Sequence, residues 1–334
     1  MKTGVLLVNL GTPNSPSTSD VRKYLTQFLN DPRVIDIPWL LRKMLVNLII
    51  VPFRSPKSAK IYQKLWTKDG SPLLIHGNAV KEKLQTTLGD NYEVYLGMRY
   101  QNPSLDTVLA LMQKKNFDKI IVVPLFAQYA SSSTGSALER VMQIISGWYV
   151  IPELKFISQY YDHPGYIAAF AERGKQYDFN AYDHILFSYH GLPVRQVDKV
   201  YGDSPCSDHN CEDHVDAENK FCYKATCFET TRLIARQLSI PETKYSVAFQ
   251  SRLDKNWLEP FSDKVVAKLA KDGAKKILVF SPAFVADCLE TTIEIGEEYD
   301  EIFKEHGGEK VQLVESLNDH PLWIDTLKDL VLKG

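Results

Sequence analysis

Apolar positions along this chain fall into short unbroken runs, separated by longer stretches in which they recur at helical spacing. VLLVNLGTP at Val5–Pro13 reads as a first strand ending in a tight turn, and ILFSYHGLP at Ile185–Pro193 repeats that pattern. YLGMR at Tyr95–Arg99 and VAFQSR at Val247–Arg252 form a second matched pair, each strand ending in Arg. The third pair is closer still: KIIVVPLFAQYASSSTG from Lys119 against KILVFSPAFVADCLETT from Lys276. Apolar runs this short, bounded by turn residues, read as buried strands. Amphipathic stretches such as Leu105–Lys115 and Phe261–Lys271 read as the helices between them. Strands alternating with helices imply parallel sheets and right-handed crossovers. Three landmarks in the same order imply two copies of one α/β unit, with a boundary near Gly147–Glu153 and hence domains 1–150 and 151–315. Pro321–Leu332 reads as a last amphipathic helix.

Two stretches carry more than a fold signal. In Ser281–Glu305 a helical pattern opens at Asp287, with Leu289, Ile293, Tyr299, Ile302 and Phe303 on its core face. Glu290, Glu294 and Glu298 recur at i, i+4 and i+8 and make one acidic stripe. Like charges at that spacing cost about 0.2–0.5 kcal/mol each, and Lys304 is the only cation in the segment. The stripe begins where a parallel strand ends, the place where open α/β sheets keep their sites, and a carboxylate column suits a divalent metal. Pro38–Phe53, PWLLRKMLVNLIIVPF, is apolar and broken only by Arg42, Lys43 and Asn47, and its uninterrupted apolar stretches are far short of the ~20 residues that a spanning helix needs. It reads either as a core helix or as an exposed lip facing a membrane surface or an apolar substrate, with Arg54, Lys57 and Lys60 suited to anionic groups.

Composition narrows the class. With 44% apolar and 24% charged residues in 334, the chain reads as globular, and a net charge of −2 gives no reason to expect nucleic acid. MKTGVLLVNLGTP has too short an apolar run for a signal peptide, so the chain is expected in the cytosol. Five cysteines there argue against disulfides. Four of them, Cys206-x4-Cys211-x10-Cys222-x4-Cys227, fall within 22 residues, a pattern for zinc or an iron–sulfur cluster, with His209 and His214 as spare ligands.

The remaining chemistry gathers at strand ends. His190 follows the strand Ile185–Ser188 and is presented by the Gly191-Leu192-Pro193 turn, where an imidazole can take up and pass on protons. Cys288 is either a small buried residue or a soft ligand at the top of the acidic column. Arg99 and Arg252, with Ser251 and Ser131–Thr134, make a cation-and-hydroxyl set suited to carboxylates or phosphates, and Tyr100 and Tyr129 stand beside it.

Read together, LLVNLGTP, GMRY, PLFAQYASSSTGS, SYHGLP, FQSR with WLEP, FVADCLETTIEIGEEY and ESLNDHP resemble the ferrochelatases, in family order and from end to end. The resemblance implies two Rossmann-like domains with four-stranded parallel sheets, a cleft between them, and a C-terminal helix, 316–334, returning to the first. It implies insertion of ferrous iron, as substrate, into protoporphyrin IX to form protohaem. Alternatives are a chelatase for another tetrapyrrole such as coproporphyrin III, or a haem- or cluster-binding sensor. His190 and Glu290 match the family's catalytic and metal-contacting pair, with Glu294, Glu298 and Cys288 along the metal path. Arg99, Tyr100, Tyr129, Ser251, Arg252, Trp257, Leu45 and Ile49 fall at positions meeting the porphyrin. The Pro38–Phe53 run matches an apolar lip that often touches the inner membrane face. The 202–227 insertion, with Cys206, Cys211, Cys222 and Cys227, resembles that of members holding a two-iron, two-sulfur cluster, zinc being the alternative. Two positions depart from the common pattern: Cys288 stands where many members carry His, and Thr12-Pro13-Asn14 where some carry a metal-contacting Tyr.

Overall fold

The computed structural model describes residues 2–202 and 204–333. Its eight strands are β1 (Thr3–Gly11), β2 (Tyr92–Tyr100), β3 (Lys119–Pro124), β4 (Glu153–Phe156), β5 (His184–His190), β6 (Tyr245–Gln250), β7 (Lys276–Phe280) and β8 (Lys310–Leu313). They form two four-stranded sheets of identical order, β2-β1-β3-β4 and β6-β5-β7-β8, and every pairing is parallel. The α/β class and the repeated unit are therefore as expected. β1 and β5 lie at the centre of their sheets, covered by helices on their faces, which is why their sequences are nearly unbroken apolar runs.

Each sheet buries its own core. In the first, Leu6, Val8, Ile120 and Val122 meet Leu105, Leu109 and Met112 of helix Leu105–Gln113 and Val141 of helix Ser136–Ile145. In the second, Leu186, Ala248, Ile277 and Val279 meet Val266 of helix Ser262–Lys271 and Ile295, Tyr299 and Phe303.

The matched turns have a steric cause. At the end of β1, Gly11 has φ +120°, and a Cβ there would lie 2.0 Å from the Tyr100 carbonyl oxygen of β2. At the end of β5, a Cβ on Gly191 would lie 2.7 Å from the Gln250 carbonyl of β6. The residue after each neighbouring strand, Gln101 or Ser251, is left-handed. This register makes Tyr100 the counterpart of Gln250, so the two arginines paired in the sequence are not equivalent: Arg99 lies within β2, whereas Arg252 lies beyond the end of β6.

The chain divides by contacts into residues 1–126, 130–159 and 324–334 on one side, and 127–129 and 160–323 on the other. This differs from domains of 1–150 and 151–315 with a returning segment 316–334. The short strand β4 pairs with β3 of the first sheet, so the division falls after Gln159. Trp323 packs against Tyr160 and Tyr166 of the second unit, so the returning segment starts at Ile324.

Two helices differ from simple α-helical readings. Asp287 does not open a helix: Cys288 is the N-cap, and Leu289–Tyr299 is a π-helix that becomes α-helical only at Asp300–Glu305. An eleven-residue π segment is unusual, since such turns occur mostly singly and at functional sites. Asp287 instead anchors the ESLNDHP stretch, accepting hydrogen bonds from Asn318 Nδ2 at 2.7 Å and the Ser316 amide at 3.2 Å. Residues 39–65 form a continuous helical run with a π segment at Leu45–Ile50. It buries Arg42, Val46 and Val51 but exposes Trp39, Leu40, Leu41, Met44, Leu48, Ile49 and Phe53, the last at 73%. The stretch is therefore not a buried core helix, and its apolar face is exposed. Among the described residues, no helix is long and apolar enough to cross a membrane.

Candidate active site and metal centre

His190 is the last residue of β5, half-buried, beside the rings of Trp257 and Phe284 at 6.4 and 6.3 Å between centroids. Its Nδ1 lies 2.6 Å from the Gly191 carbonyl oxygen. A carbonyl only accepts, so Nδ1 carries the proton and Nε2 is the basic nitrogen. The turn glycine thus does two things: it lets the chain pass close under β6, and its carbonyl fixes the imidazole tautomer.

The acidic stripe separates into three different carboxylates. Glu290 is half-buried at the start of the π-helix, and its side chain is the hydrogen-bond partner of the Cys288 thiol. Burial, reinforced by the Glu290 charge, pushes that thiol well above its ordinary value, so Cys288 is a neutral donor and not a thiolate. Glu294 is held from several sides. It accepts from Ser251 Oγ at 2.5 Å, the Ser251 amide at 2.9 Å, Gln250 Nε2 at 3.1 Å and the Tyr299 hydroxyl at 3.1 Å. Burial next to this carboxylate raises the Tyr299 phenol far above its usual range, which keeps it a donor. Glu298 is exposed.

Several side chains expected to meet a ligand are engaged inside the protein. The Ser251 hydroxyl is directed to Glu294. Arg252 pairs with Asp263 at 2.7 Å and lies over the Phe261 ring. In the first unit, Tyr100 is 2% exposed and its hydroxyl donates to Asp31 at 2.8 Å. Arg99 donates from Nη2 to the same carboxylate at 2.5 Å and from Nε to Ser136 Oγ at 2.7 Å. Ser136 adds a third donor to Asp31 at 2.6 Å. Burial of Tyr100 thus satisfies the Asp31 carboxylate from within the first unit. Leu45 is half-buried and Ile49 exposed on the lip. Tyr129, counted with the second unit, meets Phe221 of the cysteine-rich segment edge-on at 6.1 Å.

Asp31, Ser136, Gln250 and Phe284 escape sequence reading, because each acts through contacts far along the chain. Gln250 has the best local signal, standing next to Ser251 in FQSR. Its amide donates to the Glu290 carbonyl at 2.9 Å and to Glu294, while its oxygen accepts from Ser188 at 2.7 Å. It therefore ties the ends of β5 and β6 to the π-helix.

Of the four clustered cysteines, three come together. The sulfurs of Cys206, Cys211 and Cys222 lie 3.5, 3.5 and 3.7 Å apart, all three buried, and could hold a metal. Cys227 is not in that group, and its sulfur accepts from Tyr223. Cys222 caps the helix Tyr223–Gln237, and five helical residues turn about 500°, leaving Cys227 about 140° away from it. His209 and His214 do not join either. His209 stacks on Tyr201 at 3.8 Å and bonds Ser204 Oγ at 2.8 Å. A two-iron, two-sulfur cluster takes four thiolates, so the expected set Cys206, Cys211, Cys222 and Cys227 does not fit it.

A family model described as ferrochelatase matches residues 2–334. A curated relative named ferrochelatase, from Coxiella burnetii (strain Dugway 5J108-111), is 44% identical over 337 residues, covering 100% of this chain and 94% of the relative. Another of that name, from Legionella pneumophila subsp. pneumophila (strain Philadelphia 1), is 44% identical over 332 residues, with 99% of each chain covered. Among solved structures, the sirohydrochlorin chelatase of Bacillus subtilis subspecies spizizenii in complex with cobalt superposes with a TM-score of 0.57 at 12% identity, covering 100% of this chain and 95% of that one. At that identity the likeness establishes the two-domain fold alone.

Proposed function

The chain belongs to the ferrochelatase family of metal chelatases, and from that premise we propose that His190 and Glu290 carry the insertion of ferrous iron into protoporphyrin IX, the last step of haem synthesis. Metallation must remove two pyrrole protons while a dipositive ion enters. It needs a neutral base that can take a proton and an anionic group that can face a cation. The observation that carries this reading is the His190 tautomer: with Nδ1–H bonded to the Gly191 carbonyl, Nε2 is the acceptor for a pyrrole proton or a ligand for the metal.

Glu290 supplies the opposing charge. The neutral Cys288 thiol hydrogen-bonds it and the Gln250 amide fixes its backbone. Glu294 is anchored by four donors. It lends negative potential along the π-helix without moving. Exposed Glu298 is the outer end of the same column, where iron would arrive or protons leave. Trp257 and Phe284 give the base apolar walls, as a flat macrocycle requires. The Arg99 guanidinium, held by Asp31, is the proposed partner of a porphyrin carboxylate.

The test is an anaerobic assay with ferrous iron and either protoporphyrin IX or coproporphyrin III. Faster haem formation from protoporphyrin is expected. Preference for coproporphyrin, or binding of haem with no insertion from either porphyrin, would reject this assignment.

The exposed lip between Trp39 and Phe53 is proposed to rest on the inner face of a membrane, placing the enzyme in the cytoplasm beside an apolar substrate store. Leu48→Glu with Ile49→Glu is expected to abolish co-sedimentation with anionic vesicles while leaving unfolding temperature nearly unchanged. Undiminished sedimentation would remove the membrane contact.

A further inference from the structure

We propose that Cys206, Cys211 and Cys222 form a mononuclear site for one borderline divalent metal ion, zinc being the natural occupant, and not half of a two-iron cluster. Four ligands at about 2.3 Å from a tetrahedral metal are about 3.8 Å from one another. The three sulfurs form a nearly equilateral triangle with edges of 3.5, 3.5 and 3.7 Å, one face of such a tetrahedron within a few tenths of an ångström. A two-iron, two-sulfur cluster shares its four cysteines between two irons, so no three thiolates can all be near neighbours. The remaining cysteine of the segment is committed elsewhere, with its sulfur fully buried against Tyr223.

The surroundings suit a closed site. Cys206, at the start of a short turn, has its amide bonded to Asp198 Oδ1 at 2.8 Å. Cys222 caps the next long helix, so two fixed elements and the loop bearing Cys211 converge. The hydroxyl of Tyr201 lies 3.0 Å from the Cys211 sulfur, and its ring is stacked on His209. That places a phenol oxygen next to the triangle. Thiolates with one oxygen or water are a ligand set that zinc accepts.

The test uses the full chain, produced with both iron and zinc supplied and purified anaerobically. One zinc per chain, no acid-labile sulfide and no visible absorbance are expected. Exchange with cobalt(II) should give thiolate-to-cobalt charge transfer and the strong ligand-field bands of a tetrahedral ion. Cys227→Ser should retain the full metal content, whereas Cys211→Ser should lose at least tenfold in occupancy under a competing chelator. Two irons and two sulfides per chain, lost in Cys227→Ser, would overturn the proposal, as would a wild-type chain that takes up no zinc or cobalt. Should a cysteine variant fail to fold, the wild-type stoichiometry and cobalt spectrum decide alone. None of these readouts uses chelatase turnover, so their failure is distinct from failure of the iron-insertion assignment.

Discussion

Replacing His190 by Ala, or Glu290 by Gln, is expected to lower the turnover of iron insertion by about 10²- to 10⁴-fold, the usual scale for a lost general acid–base group. Porphyrin affinity, read by fluorescence quenching, should change only several-fold, because neither side chain makes the apolar walls beside the site. The two losses arise differently. In His190→Ala the nitrogen whose tautomer is fixed by Gly191 disappears. In Glu290→Gln the shape and the Cys288 contact survive but the negative charge does not. A variant that keeps near wild-type turnover would lose its assigned role. Glu294→Gln is a different kind of change: its four donors were arranged for a carboxylate, so lost stability accompanies lost rate.

The second large effect is on stability. Asp31 is 5% exposed and receives Arg99, Tyr100 and Ser136. Asp31→Ala leaves a mostly buried guanidinium without its counter-ion and two hydroxyls without their acceptor. Breaking such a pair costs about 3–5 kcal/mol, and the residual 20% exposure of the Arg99 side chain places this case near about 3 kcal/mol. At about 2–4 °C per kcal/mol, the unfolding temperature should fall by about 6–12 °C. Asp31→Asn keeps an acceptor and should fall less. An unchanged unfolding temperature for Asp31→Ala would mean that the cluster contributes nothing net.

Much of this was legible in the residues, for reasons that can be named. Parallel strands buried on both faces write themselves as apolar runs, so β1, β3, β5 and β7 are plain in the sequence. β4 and β8 are four-residue edge strands with polar, partly exposed positions, and they leave no such run. That is why the domain boundary shifted by several residues. The Gly turns after β1 and β5 were visible because only glycine fits beneath the neighbouring strand. His190 and the Glu290 column stand out in the sequence by their place at or after strand ends.

What sequence could not supply was the partner of each polar group. Spacing put Glu290, Glu294 and Glu298 on one stripe, but the π-helix and Ser251 make three unlike carboxylates of them. Clustering put four cysteines in one short segment, yet helical rotation after Cys222 turned one of them away. The acceptor that Arg99 and Tyr100 share, Asp31, is 68 residues away from Arg99 in the chain, beyond the reach of any local pattern.

The most direct measurement is rescue of His190→Ala by added imidazole in anaerobic insertion of ferrous iron into protoporphyrin IX. If the Nε2 lone pair takes the pyrrole proton, exogenous imidazole should restore turnover in proportion to its neutral form, with no effect on Glu290→Gln. Turnover of His190→Ala that matches the unmodified enzyme with no imidazole present, or rescue equal in both variants, would contradict the account.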